Sequence, residues 1–146
     1  MNKKKFKDTA KKHVPKQHRL RNATIAFITG GIFAIVAQLI MEVYRMLLGI
    51  DEKSASTMAI VTIILISAIM TGLGIYDKAA QYTGAGMFVP ISGFANSLTS
   101  CAMEGKSEGL IYGIGGNMFK LAGSVLTYGI ASAFVFGFIR FLLFGA

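Results

Sequence analysis

The sequence predicts an all-α integral membrane protein with about four transmembrane helices, the third of them broken or re-entrant. Two compositional features point to this class: 53% of the 146 residues are hydrophobic, and the mean hydropathy is +0.58. The third observation is that four uncharged stretches approach the length of about 20 residues that a helix needs to cross a bilayer. They are Ala23–Met41, Ser54–Tyr76, Ala79–Met103 and Leu121–Ile139. Residues 22–146 are therefore predicted to form a single membrane domain.

The net charge of +8 belongs to residues 1–21, which hold nine Lys or Arg and one Asp. These residues are predicted to form a basic tail that keeps the N-terminus on the cytoplasmic side. Attraction to anionic lipid headgroups is a second role for such a tail. No nucleic-acid partner is expected, because Phe6 is the one aromatic residue among the basic ones.

The first helix is predicted over about Asn22–Leu48. Gln38, Glu42 and Arg45 follow one another at helical spacing, so they share one face. An ion pair between Glu42 and Arg45 would lower the cost of placing both charges near the membrane. The sequence leaves open whether this face anchors the helix at the interface or lines a pore.

A polar turn is predicted over Gly49–Thr57, before the second span. In that span Ala68 and Gly72 offer a small-residue face for close helix packing. Asp77 and Lys78 follow it. The basic tail then predicts that Asp77 and Lys78 lie on the cytoplasmic side, and four crossings would return the C-terminus to that side.

The third stretch is the least regular part of the chain. Gly84 and Gly86 open it, and Pro90 and Gly93 interrupt it. Irregular backbone at membrane depth occurs only where protein or a water-filled cavity covers it, and broken helices of this kind often form solute sites. A broken crossing and a re-entrant hairpin are both compatible with the sequence.

Polar side chains recur at helical spacing after this break and again before the last span. Asn117, Lys120, Ser124 and Thr127 form the second stripe, and Gly129, Ala133 and Gly137 then offer a packing face. The predicted pore- and solute-lining residues are Ser92, Asn96, Thr99, Ser100, Glu104, Asn117, Lys120 and Ser124.

Catalytic and metal-binding patterns are not found. Glu104 and Glu108 lie in a charged turn without a His or an Asp-rich calcium loop nearby. Cys101 is the one cysteine, so a disulfide within the chain is excluded. No nucleophile–base set is present, and we therefore expect neither enzymatic activity nor a bound cofactor or metal.

Four segments carry a resemblance to a known family. They are Gly30–Ile40 (GGIFAIVAQLI), Thr71–Asp77 (TGLGIYD), Gly84–Leu98 (GAGMFVPISGFANSL) and Glu104–Gly123 (EGKSEGLIYGIGGNMFKLAG). The chain resembles the SpoVA membrane proteins of spore-forming bacteria over residues 23–146, and the GAG…VP-x-x-GFAN block is the specific part. Its length and basic tail favour the AC type over the AE type.

The resemblance implies a place in the inner spore membrane and a role in moving calcium-dipicolinate into the developing spore and out again in germination. It also implies other SpoVA proteins as partners, namely an AE-type membrane subunit and a soluble dipicolinate-binding subunit. A pore shared between subunits is expected, because four short helices can hardly enclose a wide polar path. The alternative is a non-conducting membrane scaffold that anchors the soluble dipicolinate-binding partner.

Overall fold

The computed structural model describes residues 18–145, so most of the basic tail predicted over residues 1–21 lies outside the described part. Residues 18–145 form helices and short connections, with no β-strand among them. The all-α prediction is therefore confirmed for this part of the chain.

Helices α1 (Arg19–Leu48) and α2 (Glu52–Gly72) form an antiparallel pair joined by a very short turn. Gly49 ends α1 in the left-handed conformation (φ 61°), which favours glycine, and its N–H donates to the carbonyl of Arg45 at 3.0 Å. The predicted polar turn over residues 49–57 is wrong from Glu52 onward, because helix α2 already begins there.

The reason for this early start is the cap at Asp51. Its carboxylate accepts from the Ser54 backbone N–H at 3.1 Å and from the Ser54 hydroxyl at 2.7 Å. These two hydrogen bonds hold the pKa of Asp51 below its ordinary value, and the bond from the Ser54 hydroxyl has the larger effect. Because the pKa is lower in the folded protein, the charged cap stabilises the helix at pH values above 3.8, the pKa of an unfolded Asp. This contribution is lost as the pH falls through the lowered pKa of the folded protein.

Helix α2 buries one residue every four along a single face. The five are Ala55, Ala59, Ile63, Ser67 and Thr71. The small residues at the loop end pack with Met41 of α1, and the Tyr44 hydroxyl lies 2.8 Å from that of Thr62. The predicted packing face at Ala68 and Gly72 is therefore displaced by one position, since Gly72 is exposed.

The stretch predicted as the third span consists of three helices. These are α3 (Ile75–Thr83), α4 (Ala85–Phe88) and α5 (Ile91–Gly105). The chain bends at Gly84, which has a φ of 57°, and again at Pro90, whose extended backbone precedes α5. None of the three helices is long enough to cross a bilayer alone.

Close backbone contacts hold this segment against its neighbours. A Cβ on Gly86 would collide with the Thr29 side chain and lie 2.7 Å from the carbonyl oxygen of Ala26 in α1. A Cβ on Gly93 would likewise overlap the backbone of Phe88. These two glycines therefore permit α4 to rest directly on α1 and α5 to fold back beside α4.

The last helix follows a tight connection. A 3₁₀ turn (Lys106–Glu108) and a π-helical turn (Leu110–Gly115) lead into α6 (Gly116–Phe144). Within residues 18–145, three helical segments are long and apolar enough to span a membrane, namely Arg19–Leu48, Glu52–Gly72 and Leu110–Phe144. The C-terminal part of α6, from Ser124 onward, is exposed, and the predicted face at Gly129 and Gly137 packs against no other element among residues 18–145.

Candidate functional site

The candidate site is a half-open cavity of about 420 Å³ between α5 and α6. Its size falls within the range of small-molecule sites, about 300–1,000 Å³. The lining residues are Cys101, Glu104, Asn117, Lys120, Leu121 and Ser124. Four of the eight predicted solute-lining residues (Glu104, Asn117, Lys120 and Ser124) therefore meet in one place.

The crossing of Gly105 and Gly113 lies beside Asn117, one of the lining residues. A Cβ on Gly105 would lie 2.5 Å from the carbonyl oxygen of Gly113 and 2.7 Å from Nδ2 of Asn117. A Cβ on Gly113 would overlap the carbonyl oxygen of Gly105. Because neither residue has a side chain, the π-helical turn rests on the end of α5 and directs the start of α6 along it. Single π-helical turns of this kind are frequent at functional sites.

The cavity carries two opposite charges that do not pair with each other. Lys120 and Glu104 are both exposed, and the ion pair found in the described part of the chain is Arg45–Glu42 at 3.0 Å. Asn117 is half-buried and adds an amide that can donate and accept. The Ser124 hydroxyl donates to the carbonyl of Leu121 at 2.8 Å and keeps its lone pairs for another donor. The lining thus offers a cation, an anion and neutral polar groups to one solute.

Ser92 and Asn96 lie elsewhere, buried where α5 meets α2 and α3. Oδ1 of Asn96 accepts from the Thr71 hydroxyl at 2.7 Å, and its Nδ2 donates to the Asp77 carboxylate at 3.1 Å. The Tyr76 hydroxyl donates to the carbonyl of Met87 at 2.8 Å and lies 3.0 Å from Oγ of Ser92. In this conformation both predicted solute-lining residues take part in helix packing.

Thr99 and Ser100 lie outside the cavity between α5 and α6. The Thr99 hydroxyl donates to the carbonyl of Ala95 within its own helix at 2.9 Å. Ser100 lines a second cavity, also of about 420 Å³, at the end of α2. Its other lining residues are Thr71, Gly72, Leu73, Gly74, Asp77 and Met103.

Sequence reasoning missed the partners of Asn96. The sequence alone predicts that Asp77 lies in a loop at the membrane face and that Thr71 lies in the apolar span before it. The contacts join residues 25 and 19 positions apart, and they exist only because the chain folds back at Gly84 and Pro90. One signal for this contact is present in the sequence, because the Asp77 carboxylate lies before the predicted break and the Asn96 amide lies after it.

Replacing Asn96 with Leu tests the structural contribution of these bonds. The change removes two interhelical hydrogen bonds, each of which contributes about 0.6–2 kcal/mol in a membrane protein, so we expect a lower unfolding temperature. Thermal unfolding of the purified protein in detergent measures this. Ser97→Ala is the matched control, because within residues 18–145 the Ser97 hydroxyl donates to the carbonyl of Gly93 in the same helix and bonds to no other helix. Equal unfolding temperatures for Asn96→Leu and the control would contradict the prediction.

A metal cluster is not formed by the residues that the structure covers, since no three His, Cys, Asp or Glu side chains among them come together. Among residues 18–145, Glu104 is the acidic residue that lines the cavity between α5 and α6. Any cation held there would therefore need ligands from the solute itself.

Three long apolar helices, an irregular glycine-rich segment between them and a charged cavity beside it define a helical integral membrane protein with a small polar site. Residues 22–139 match the SpoVAC/SpoVAEB sporulation membrane protein family, and the chain belongs to that family. It is also 44% identical over 139 residues to stage V sporulation protein AC of Bacillus subtilis (strain 168), covering 95% of this chain and 93% of that protein. The resemblance inferred from the sequence is therefore confirmed. No solved structure matches the chain.

Proposed function

We propose that this protein is a membrane channel subunit that passes calcium-dipicolinate, into the developing spore during sporulation and out of it during germination. It acts in the inner spore membrane, with the N-terminus on the core side. The observation that carries the proposal is the cavity between α5 and α6, where Glu104, Asn117, Lys120 and Ser124 line one space. Membership of a sporulation membrane protein family supports the setting.

The proposal includes a re-entrant segment over residues 75–105, with three crossings in all. Asn96 of α5 bonds to Thr71 near the end of α2, and later residues of both segments, Gly74 and Ser100, line one cavity. These contacts support α5 running in the same direction as α2. Residues 75–105 then enter and leave the membrane on the same side. Helix α6 makes the third crossing and carries the C-terminus to the opposite side from the N-terminus.

Cysteine labelling tests this topology. In a Cys101→Ser background we expect cysteines introduced at Lys53 and Lys106 to react from opposite sides of the membrane, because a re-entrant segment leaves Lys106 on the same side as Lys78. The measurement is modification by a membrane-impermeant maleimide in sealed vesicles of known orientation. If Lys53→Cys and Lys106→Cys react from the same side, residues 75–105 cross and the chain has four spans.

A pore shared with other subunits belongs to the proposal. The partners are an AE-type membrane subunit and a soluble dipicolinate-binding subunit, or further copies of this chain. The exposure of α6 from Ser124 onward supports it, since this helix has a free surface along most of its length. The cavity lies at the N-terminal end of that surface, so a neighbouring subunit packed on α6 would cover the open side of the cavity.

Reconstitution separates the channel from a non-conducting scaffold. Purified protein in liposomes, alone and with the AE-type subunit, is tested for release of entrapped calcium-dipicolinate. Release above that of protein-free liposomes supports the channel. Binding of the soluble dipicolinate-binding subunit without release under either condition would leave the scaffold as the function.

A further inference from the structure

The cavity between α5 and α6 carries opposite charges on opposite walls. Glu104 belongs to α5 and Lys120 to α6, and the two side chains line the same space without forming an ion pair. The Glu104 carboxylate and the Lys120 ammonium are not engaged with each other. Both are therefore free to contact a solute that enters between them.

A free dicarboxylate fits this arrangement poorly. Placed in the cavity, it would be attracted by the Lys120 ammonium and repelled by the Glu104 carboxylate, so the two Coulomb terms oppose each other. A dicarboxylate with a divalent cation bound presents both signs of charge. Its carboxylate oxygens can face Lys120 while its cation faces Glu104, and both terms are then favourable.

We infer that this cavity selects a metal-chelated carboxylate over the free anion, with Lys120 contacting the carboxylate oxygens and Glu104 contacting the bound cation. The identity of the carboxylate, dipicolinate, rests on the proposed function. The selection itself rests on the two charges. Asn117 is positioned by the Gly105–Gly113 crossing and supplies a neutral polar contact on the same wall as Lys120.

Cys101 provides a measure of occupancy that does not depend on transport. It is partly exposed and lines the same cavity, so a bound solute covers its thiol. The rate of maleimide labelling of the detergent-solubilised full chain is measured with calcium-dipicolinate, with dipicolinate free of divalent cations, and with calcium alone. At a concentration about ten times Kd, a ligand that covers Cys101 slows labelling about tenfold, because the protection factor is 1 + [L]/Kd.

We expect calcium-dipicolinate to protect Cys101 in the unmodified protein at a lower concentration than free dipicolinate does. Glu104→Gln should abolish this difference, because removing the negative charge improves protection by the free dianion. Glu108→Gln should preserve the difference, because the Glu108 carboxylate lies outside the cavity. Lys120→Gln should weaken protection by both forms, with Lys106→Gln as its matched control. Isophthalate has the same carboxylate spacing but no ring nitrogen to chelate calcium, so calcium should not improve its binding.

Equal protection by the chelate and the free dianion in the unmodified protein would overturn the inference, as would identical behaviour of Glu104→Gln and Glu108→Gln. Equilibrium dialysis of the same variants against calcium-dipicolinate gives the comparison without using the thiol. The two proposals can fail separately. Chelate-selective protection without flux in liposomes would remove the channel and keep the site, whereas flux without selective protection would do the opposite.

Discussion

Dipicolinate flux is expected to fall about tenfold or more when Lys120 is replaced by Glu. The ammonium of Lys120 faces the cavity between α5 and α6, and reversing its charge replaces an attraction for a carboxylate by a repulsion. Such a contact at 4 Å has a Coulomb energy between about 1 kcal/mol in water and about 4 kcal/mol near a protein surface. Lys120 is exposed, so the lower end of that range applies. Replacing an attraction of about 1 kcal/mol by a repulsion of the same size changes the energy by about 2 kcal/mol. This exceeds the value of about 1.4 kcal/mol that corresponds to a factor of ten.

Release of dipicolinate from vesicles, normalised to the amount of inserted protein, measures the effect. Lys120→Arg should keep most of the flux because it preserves the charge. Lys106→Glu is the control, since this exposed residue of the 3₁₀ turn does not line the cavity. If Lys120 mainly balances Glu104, adding Glu104→Lys to Lys120→Glu should restore flux. Unaltered release by Lys120→Glu would remove this residue from the site.

The long helices were predictable because each depends on local composition. An uncharged apolar run of sufficient length specifies a helix at membrane depth whatever surrounds it. The ends were less predictable, as at Glu52, where one carboxylate cap extends α2 into residues that looked like a turn. The pairing of Glu42 with Arg45 was predicted correctly for the same local reason, because the two lie one helical turn apart.

The site was half predictable. The stripe of Asn117, Lys120 and Ser124 follows from helical spacing, and the structure places all three at one cavity. Asn96 shared that polar character, yet its partners are Thr71 and Asp77. Polarity within an apolar stretch shows that a side chain needs a partner. It does not show whether that partner is a solute or another helix, because the answer depends on where the chain turns back.

The second large effect is expected from Gly113→Ala. The new methyl group would overlap the carbonyl oxygen of Gly105 and lie 2.9 Å from Cβ of Glu108, so the π-helical turn must move away from α5. Overpacking of this kind destabilises a protein by about 1–3 kcal/mol, and backbone atoms cannot move aside as the end of a flexible side chain can. Thermal unfolding in detergent should show the loss as a lower midpoint.

Gly123→Ala supplies the matched control within α6. Within residues 18–145, no atom outside the local backbone of α6 lies within 4 Å of the position that its Cβ would take. Alanine also favours a helix interior over glycine by about 0.5–1 kcal/mol. This variant should therefore unfold at the same temperature as the unmodified protein or slightly above it. Because Asn117 packs against the crossing of Gly105 and Gly113, Gly113→Ala should also change the labelling rate of Cys101, whereas Gly123→Ala should not. Equal unfolding temperatures for the two variants would mean that α5 and the π-helical turn do not cross at Gly105 and Gly113, and the cavity between α5 and α6 would then lose its structural basis.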